Sequence, residues 1–115
     1  MRFKLVVVTT RTDLTDQIVA AAKQSGATGA TIIPARGTGI HEAKTFFGLS
    51  LDVQRDVILF ILEEHLAQQI LTVANETGGF HEPGTGIGFS LDIDSIVGLD
   101  LQLKHFSEEV KDKYS

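Results

Sequence analysis

The segment LTDQIVAAAKQSG, Leu14 to Gly26, has the same register of apolar residues and glycine as LAQQILTVANETG, Leu66 to Gly78. In both, apolar residues recur at intervals of three and four, the spacing of an amphipathic helix, and the glycine is typical of a helix C-terminus. At one fixed offset Ile18 matches Ile70. The pattern predicts two related helices and an internally duplicated chain.

Short apolar runs flank both helices. The sequence predicts strands at 5–8, 30–35 and 57–62, and a fourth within GTGIGFSLD, Gly84 to Asp92. Asp13 is predicted to be the N-cap of the first helix. The order βαββαβ predicts an α+β, ferredoxin-like fold, in which a four-stranded antiparallel sheet carries both helices on one face.

The opposite face of such a sheet has no helix to cover it. The strand segment DVILFIL, Asp56 to Leu62, is apolar at both alternating positions, so the uncovered face is also expected to be apolar. Self-association is the simplest cover for it, and a closed ring of identical subunits also buries strand edges. We therefore expect a homo-oligomer.

Composition limits the remaining possibilities. A chain of 115 residues with a net charge of −5 and no basic cluster is expected to be one domain that does not bind nucleic acid. It has no cysteine, which excludes thiolate chemistry. Its N-terminal apolar run is too short for a membrane span, so a cytoplasmic protein is expected. We assign residues 1–100 to the domain and 101–115 to a C-terminal extension, either a short helix or a frayed tail.

Glycine is concentrated at two places where GTGI occurs, Gly37 to Ile40 and Gly84 to Ile87. Glycine-rich backbone can present successive amide groups to an anion, with neighbouring threonine hydroxyls as further hydrogen-bonding groups. The alternative is that these glycines only form bulges or turns at the ends of strands. Neither segment completes a Walker A or dinucleotide-binding motif.

A histidine-glutamate pair stands next to each GTGI: His41-Glu42 follows the first, and His81-Glu82 precedes the second. A metal site would need His41 and His81 to converge, and otherwise they are hydrogen-bonded loop histidines. No serine lies in a nucleophile motif. The sequence therefore does not indicate an enzyme.

The segment from Gly37 to Arg55 is too long for a tight hairpin and contains adjacent phenylalanines, Phe46 and Phe47. These rings either pack against the domain or form a contact surface for a ligand or a partner protein.

The order of these pieces resembles the PII nitrogen-regulatory protein family over roughly residues 2 to 100. The family pattern GxTGxTxxxxxGxG is matched by Gly26, Thr28, Gly29, Thr31, Gly37 and Gly39, and its second nucleotide loop by Thr77, Gly78, Gly84 and Gly86. The resemblance implies a homotrimer that binds adenine nucleotides in clefts between subunits. It also implies that the 37–55 loop contacts a regulated target protein, in nitrogen or carbon metabolism.

The sequence departs from the family at the phosphate-binding positions. Thr85 and Ile87 stand where the family has the aspartate and lysine of GDGK, and the family's two later arginines correspond to the region of Gly98 and Asp100. Loss of three cations would weaken the binding of ATP by about 1.5–3 kcal/mol for each charge-assisted hydrogen bond that is lost. AMP, ADP or another small anion is therefore the expected effector.

The resemblance and the glycine segments together predict two sets of residues. The expected effector-binding residues are Thr31, Arg36, Gly37, Thr38, Gly39, Thr77, Gly84, Thr85 and Gly86. The expected loop contacts with a target are His41, Glu42, Lys44, Phe46, Phe47 and Arg55. Two alternatives remain: a CutA-like trimeric protein that binds divalent metal, and a small ferredoxin-like enzyme that uses a histidine base.

Overall fold

A computed structural model describes residues 2–37 and 53–99 of the chain. Its strands are β1 (Phe3–Arg11), β2 (Thr31–Gly37), β3 (Val53–Glu63) and β4 (Gly86–Asp92). Its helices are α1 (Thr15–Gln24), which follows a 3-10 turn at Thr12–Leu14, and α2 (Glu64–Gly78). All neighbouring strands are antiparallel, in the order β2-β3-β1-β4. The predicted ferredoxin-like fold is confirmed.

The core lies between the sheet and the two helices. Alternate residues of the central strands β1 and β3 face the helices, and Val6, Val8, Ile58 and Phe60 are completely buried there. The matched helix positions Ile18 and Ile70 are also completely buried. Each such side chain contributes about 1.5–3 kcal/mol on burial. The predicted helix register is therefore the register that builds the core.

The start of α1 differs from the prediction. Asp13 is not the N-cap of this helix, because its carboxylate accepts hydrogen bonds of 2.6 and 3.1 Å from the guanidinium of Arg11. A 3-10 turn intervenes, and the helix begins at Thr15. The C-terminal prediction was correct, since Gly26 adopts a φ of 117° directly after the helix, a conformation that glycine accommodates.

The strands are longer than the apolar runs that predicted them, particularly β1 and β3. Their polar ends, such as Thr9 to Arg11, continue the hydrogen-bonded ladder with the partner strands although they lack apolar alternation. Backbone pairing therefore extends the sheet beyond its apolar centre.

The sheet face opposite the helices is apolar and open within residues 2–37 and 53–99, as predicted. Its most exposed large side chains are Ile33, Ile61, Ile87, Phe89 and Leu91, which are between 41% and 59% exposed. None of the helices formed by the described residues is long and apolar enough to cross a membrane.

Candidate functional site

The second glycine segment forms a compact corner between α2 and β4, residues 78–86, which we call the glycine corner. Gly79 and Gly84 adopt φ values of 63° and 80°. The Thr85 hydroxyl lies 2.9 Å from the carbonyl oxygen of Gly79 and 2.8 Å from that of Glu82. This predicted effector-binding hydroxyl is thus engaged inside the corner.

The ring of Phe80 fills the space between two of these glycines. A Cβ atom on Gly78 would overlap this ring, and a Cβ on Gly86 would overlap the ring and lie 2.5 Å from the carbonyl oxygen of Thr9. Gly78 and Gly86 therefore have a packing requirement of their own, whether or not they also contact a ligand.

Arg55 ties the glycine corner to the start of β3. Its guanidinium donates hydrogen bonds to the carbonyl oxygens of Gly84, at 2.6 Å, and Thr85, at 3.1 Å. Arg55 is the last residue of the predicted 37–55 loop, so the end of that segment is connected directly to the corner. The guanidinium also places a positive charge beside the corner.

Gly37, at the end of β2, and the glycine corner lie at the same end of the sheet but at opposite edges. Gly86 in β4 is in register with Thr10, which is in register with Asp56, which is in register with Pro34 in β2. Three strand spacings separate Gly86 from Pro34, or about 14 Å. Gly37 lies three residues further along β2. In one chain Gly37 therefore lies apart from the glycine corner.

A cleft of about 580 Å³ lies at the first of these segments, beside β2 and β3. Its polar lining includes Thr12, Arg36, Gln54 and Asp56. Arg36 is paired in register with Gln54, on the same side of the sheet as Asp56. The cleft therefore presents a cation, an amide and a carboxylate on one side of the two strands.

A buried polar group forms one wall of this cleft. Asp56 is only 8% exposed, and its Oδ2 accepts a 2.6 Å hydrogen bond from the hydroxyl of Thr15 at the start of α1. Thr10, opposite Asp56 in register, is completely buried, and its hydroxyl has no hydrogen-bond partner among the described residues. The sequence prediction missed all three of these residues. The signal that could have found them is Asp56 itself, because it alternates with Ile58 and Phe60 along β3 and therefore faces the core.

The remaining predicted residues are distributed as follows. Thr31 is the first residue of β2 and is exposed, about 20 Å from Gly37 along the strand. Thr77 is half-buried in the last turn of α2. Predictions that fall outside the described residues concern Thr38, Gly39, His41, Glu42, Lys44, Phe46, Phe47 and the extension 101–115.

The metal-binding alternative required His41 and His81 to meet, and His41 lies outside the described residues. His81 is exposed, with its Nε2 3.7 Å from a carboxylate oxygen of the adjacent Glu82. No cluster of three or more metal-ligating side chains occurs within residues 2–37 and 53–99.

Comparison with known proteins gives one family and one fold. The model of the family described as "Nitrogen regulatory protein P-II" matches residues 3–99. A solved structure titled "Structure of B. subtilis GlnK" is similar with a TM-score of 0.69 and 17% sequence identity, covering 86% of this chain and 91% of that one. At this identity the structural match concerns the fold alone. No curated protein matches the sequence.

Proposed function

Because this chain belongs to the nitrogen regulatory protein P-II family, whose members are regulatory signalling proteins, we propose that it is a non-enzymatic, homotrimeric regulator controlled by a small effector. In this proposal the effector binds between neighbouring subunits. One subunit supplies the β2 end with Arg36 and Gly37, and the next supplies the glycine corner.

The observation that carries this proposal is the position of Gly37 and the glycine corner. They lie at one end of the sheet, at opposite edges about 14 Å apart in a single chain, which favours a pocket formed where the edges of two chains meet. The open apolar face supports the same assembly, because a sheet surface with exposed Phe89 and Leu91 is stabilised when other copies cover it.

The effector we propose is an adenine nucleotide with few phosphates, AMP or ADP, or another small anion. Ile87 occupies the position of the family's phosphate-binding lysine, and its side chain lies on the apolar sheet face in line with Phe89 and Leu91. A site without that lysine has less charge to compensate a triphosphate.

We further propose that the effector acts through the 37–55 loop on a target protein. Arg55 is the physical link, because it joins the end of this segment to the carbonyl oxygens of the glycine corner. A ligand that contacts the corner changes the environment of Arg55 and biases the surface that the loop presents to its target. The proposed site of action is the cytoplasm.

Calorimetric titration of the intact protein with AMP, ADP, ATP, 2-oxoglutarate and bicarbonate tests the effector. Binding of AMP or ADP more tightly than ATP is the expected result. Gly84→Val, which forces a branched side chain into a φ of 80°, is expected to abolish binding, whereas the exposed Ser95→Ala retains it. If none of the five compounds binds, the proposed effector control is rejected.

A further inference from the structure

The cleft beside β2 and β3 contains a buried carboxylate that no described cation neutralises. Asp56 is 8% exposed, and its hydrogen bond within residues 2–37 and 53–99 comes from Thr15, a neutral hydroxyl that uses only Oδ2. A carboxylate has two oxygens and accepts several hydrogen bonds when ionised. Asp56 therefore has accepting capacity left at the wall of a cleft, where a buried charge is costly unless a donor reaches it.

A second buried polar group lies next to Asp56. The hydroxyl of Thr10 is completely buried and has no partner in the described part of the chain. Thr10 is directly opposite Asp56 in register, so their Cβ atoms are about 5 Å apart on the same face of the sheet. Buried polar groups in folded proteins are almost always hydrogen-bonded, and Asp56 is the member of this pair that lines the cleft and that a ligand can reach.

Two arginines line the cleft, Arg36 and Arg55, and Arg36 is the one on the same side of the sheet as Asp56. Arg36 is opposite Gln54, two residues along β3 from Asp56 and on the same side of the sheet, which corresponds to about 7 Å along the strand. The guanidinium of Arg55 is directed elsewhere, to the carbonyl oxygens of Gly84 and Thr85. Arg36 is thus the basic side chain that accompanies Gln54 and Asp56 on this side.

We propose that Asp56 determines ligand specificity, by selecting a small anion that also carries a hydroxyl or ammonium group. The anionic group of the ligand binds at Arg36, and its hydroxyl or ammonium donates to the carboxylate of Asp56. This inference rests on the proposed function and specifies the chemistry of its effector. An anion without a donor leaves Asp56 unsatisfied and brings two negative charges close together.

Two matched pairs of compounds test this proposal on the intact protein, by calorimetric titration in the presence of EDTA. AMP is compared with 2′,3′-dideoxy-AMP, which lacks both ribose hydroxyls. Glutamate is compared with glutarate, which lacks the ammonium group. The first pair tests a nucleotide source of the donor, and the second an amino-acid source. In the pair that binds, the compound with the donor is expected to bind at least about ten-fold more tightly.

The variant Asp56→Asn supplies the complementary test, because an amide of the same shape turns toward the cleft as a neutral group that also donates. It is expected to reduce the preference within the binding pair to about two-fold or less. Asp16→Asn, the same change at an exposed position of α1, is expected to keep the full preference. Thermal melting establishes that both variants are folded.

The outcomes separate this inference from the function on which it rests. If the native protein binds both members of a pair equally, the role of Asp56 is overturned while effector binding stands. The same follows if folded Asp56→Asn keeps the full preference for the compound with the donor. Absence of binding by all four compounds overturns this inference. If none of the five compounds in the effector panel binds either, the proposed effector control is rejected as well. The comparison of native protein with the four compounds needs no variant to fold.

Discussion

The hydroxyl of Thr15 donates a 2.6 Å hydrogen bond to the carboxylate of Asp56, a residue 41 positions later in the chain. This contact joins the start of α1 to β3 at the point where the proposed effector cleft begins. It also places a buried charge at the positive end of a helix.

Thr15→Val is expected to destabilise the protein, because it leaves the buried carboxylate of Asp56 without its donor. The expected loss in the free energy of unfolding is about 1–3 kcal/mol. Urea denaturation measures this loss. Thr72→Val is the matched control, since Thr72 is exposed on α2 and is expected to change stability by less than about 0.5 kcal/mol. Equal stabilities of the two variants would show that the buried contact is energetically neutral.

Gly86→Ala is expected to cost about 3 kcal/mol of unfolding free energy, because the new Cβ meets both the Phe80 ring and the backbone oxygen of Thr9. Gly29→Ala has open space around the new atom and is expected to change stability by less than about 0.5 kcal/mol.

A double-mutant cycle with Phe80→Ala distinguishes the two obstacles. Removal of the ring is expected to relieve most of the cost of Gly78→Ala, because the three atoms nearest to the new Cβ all belong to Phe80. It is expected to relieve only part of the cost of Gly86→Ala, because the Thr9 oxygen remains. Additive effects in both cycles would contradict the packing described for Phe80.

Arg55→Ala is expected to loosen the glycine corner, because the carbonyl oxygens of Gly84 and Thr85 lose their charged donor. Amide hydrogen exchange of the peptide covering residues 79–88 should become several-fold faster. Arg11→Ala removes a cation whose described contact is with exposed Asp13, and serves as the control. Unchanged exchange in Arg55→Ala would remove the proposed link between the loop and the corner.

The apolar sheet face is expected to mediate self-association. Leu91→Lys places a charge on this face and should convert a species of three times 12.5 kDa into a monomer, as measured by light scattering after gel filtration. Val97→Lys is the control, because Val97 is 96% exposed and lies outside the four strands. A native protein that is already monomeric, or a Leu91→Lys variant that remains trimeric, would contradict the assembly.

Much of this fold was predictable because it depends on local, periodic signals. The matched positions Ile18 and Ile70 gave the helix register, and the order of the strands gave the topology. The start of α1 was mispredicted because two kinds of donor compete for the carboxylate of Asp13, the backbone N–H groups of the helix and the guanidinium of Arg11. The ion pair with Arg11 forms instead of the cap.

The candidate site was only partly predictable, because its contacts join residues distant in sequence. The clustering of glycines was visible in the sequence. Whether Gly86 contacts a ligand or the Phe80 ring depends on how α2 packs against β4. Likewise the pairing of Asp56 with Thr15 follows from the crossing of α1 over the sheet. The departure at Ile87 was visible in the sequence, whereas its position on the apolar face required the strand register.

In the proposed trimer, neighbouring copies each donate one glycine segment to a shared effector pocket. Two binding-defective variants test it, Arg36→Glu at the first segment and Gly84→Val at the second, each prepared alone and then refolded together in a mixture. With AMP as the titrant, neither variant alone should bind. Each mixed trimer should regain one intact pocket, because at one of its interfaces the unaltered first segment of one subunit meets the unaltered glycine corner of its neighbour. A mixture that binds no AMP, beside native protein that does, would place both segments in the site of a single chain and contradict the account.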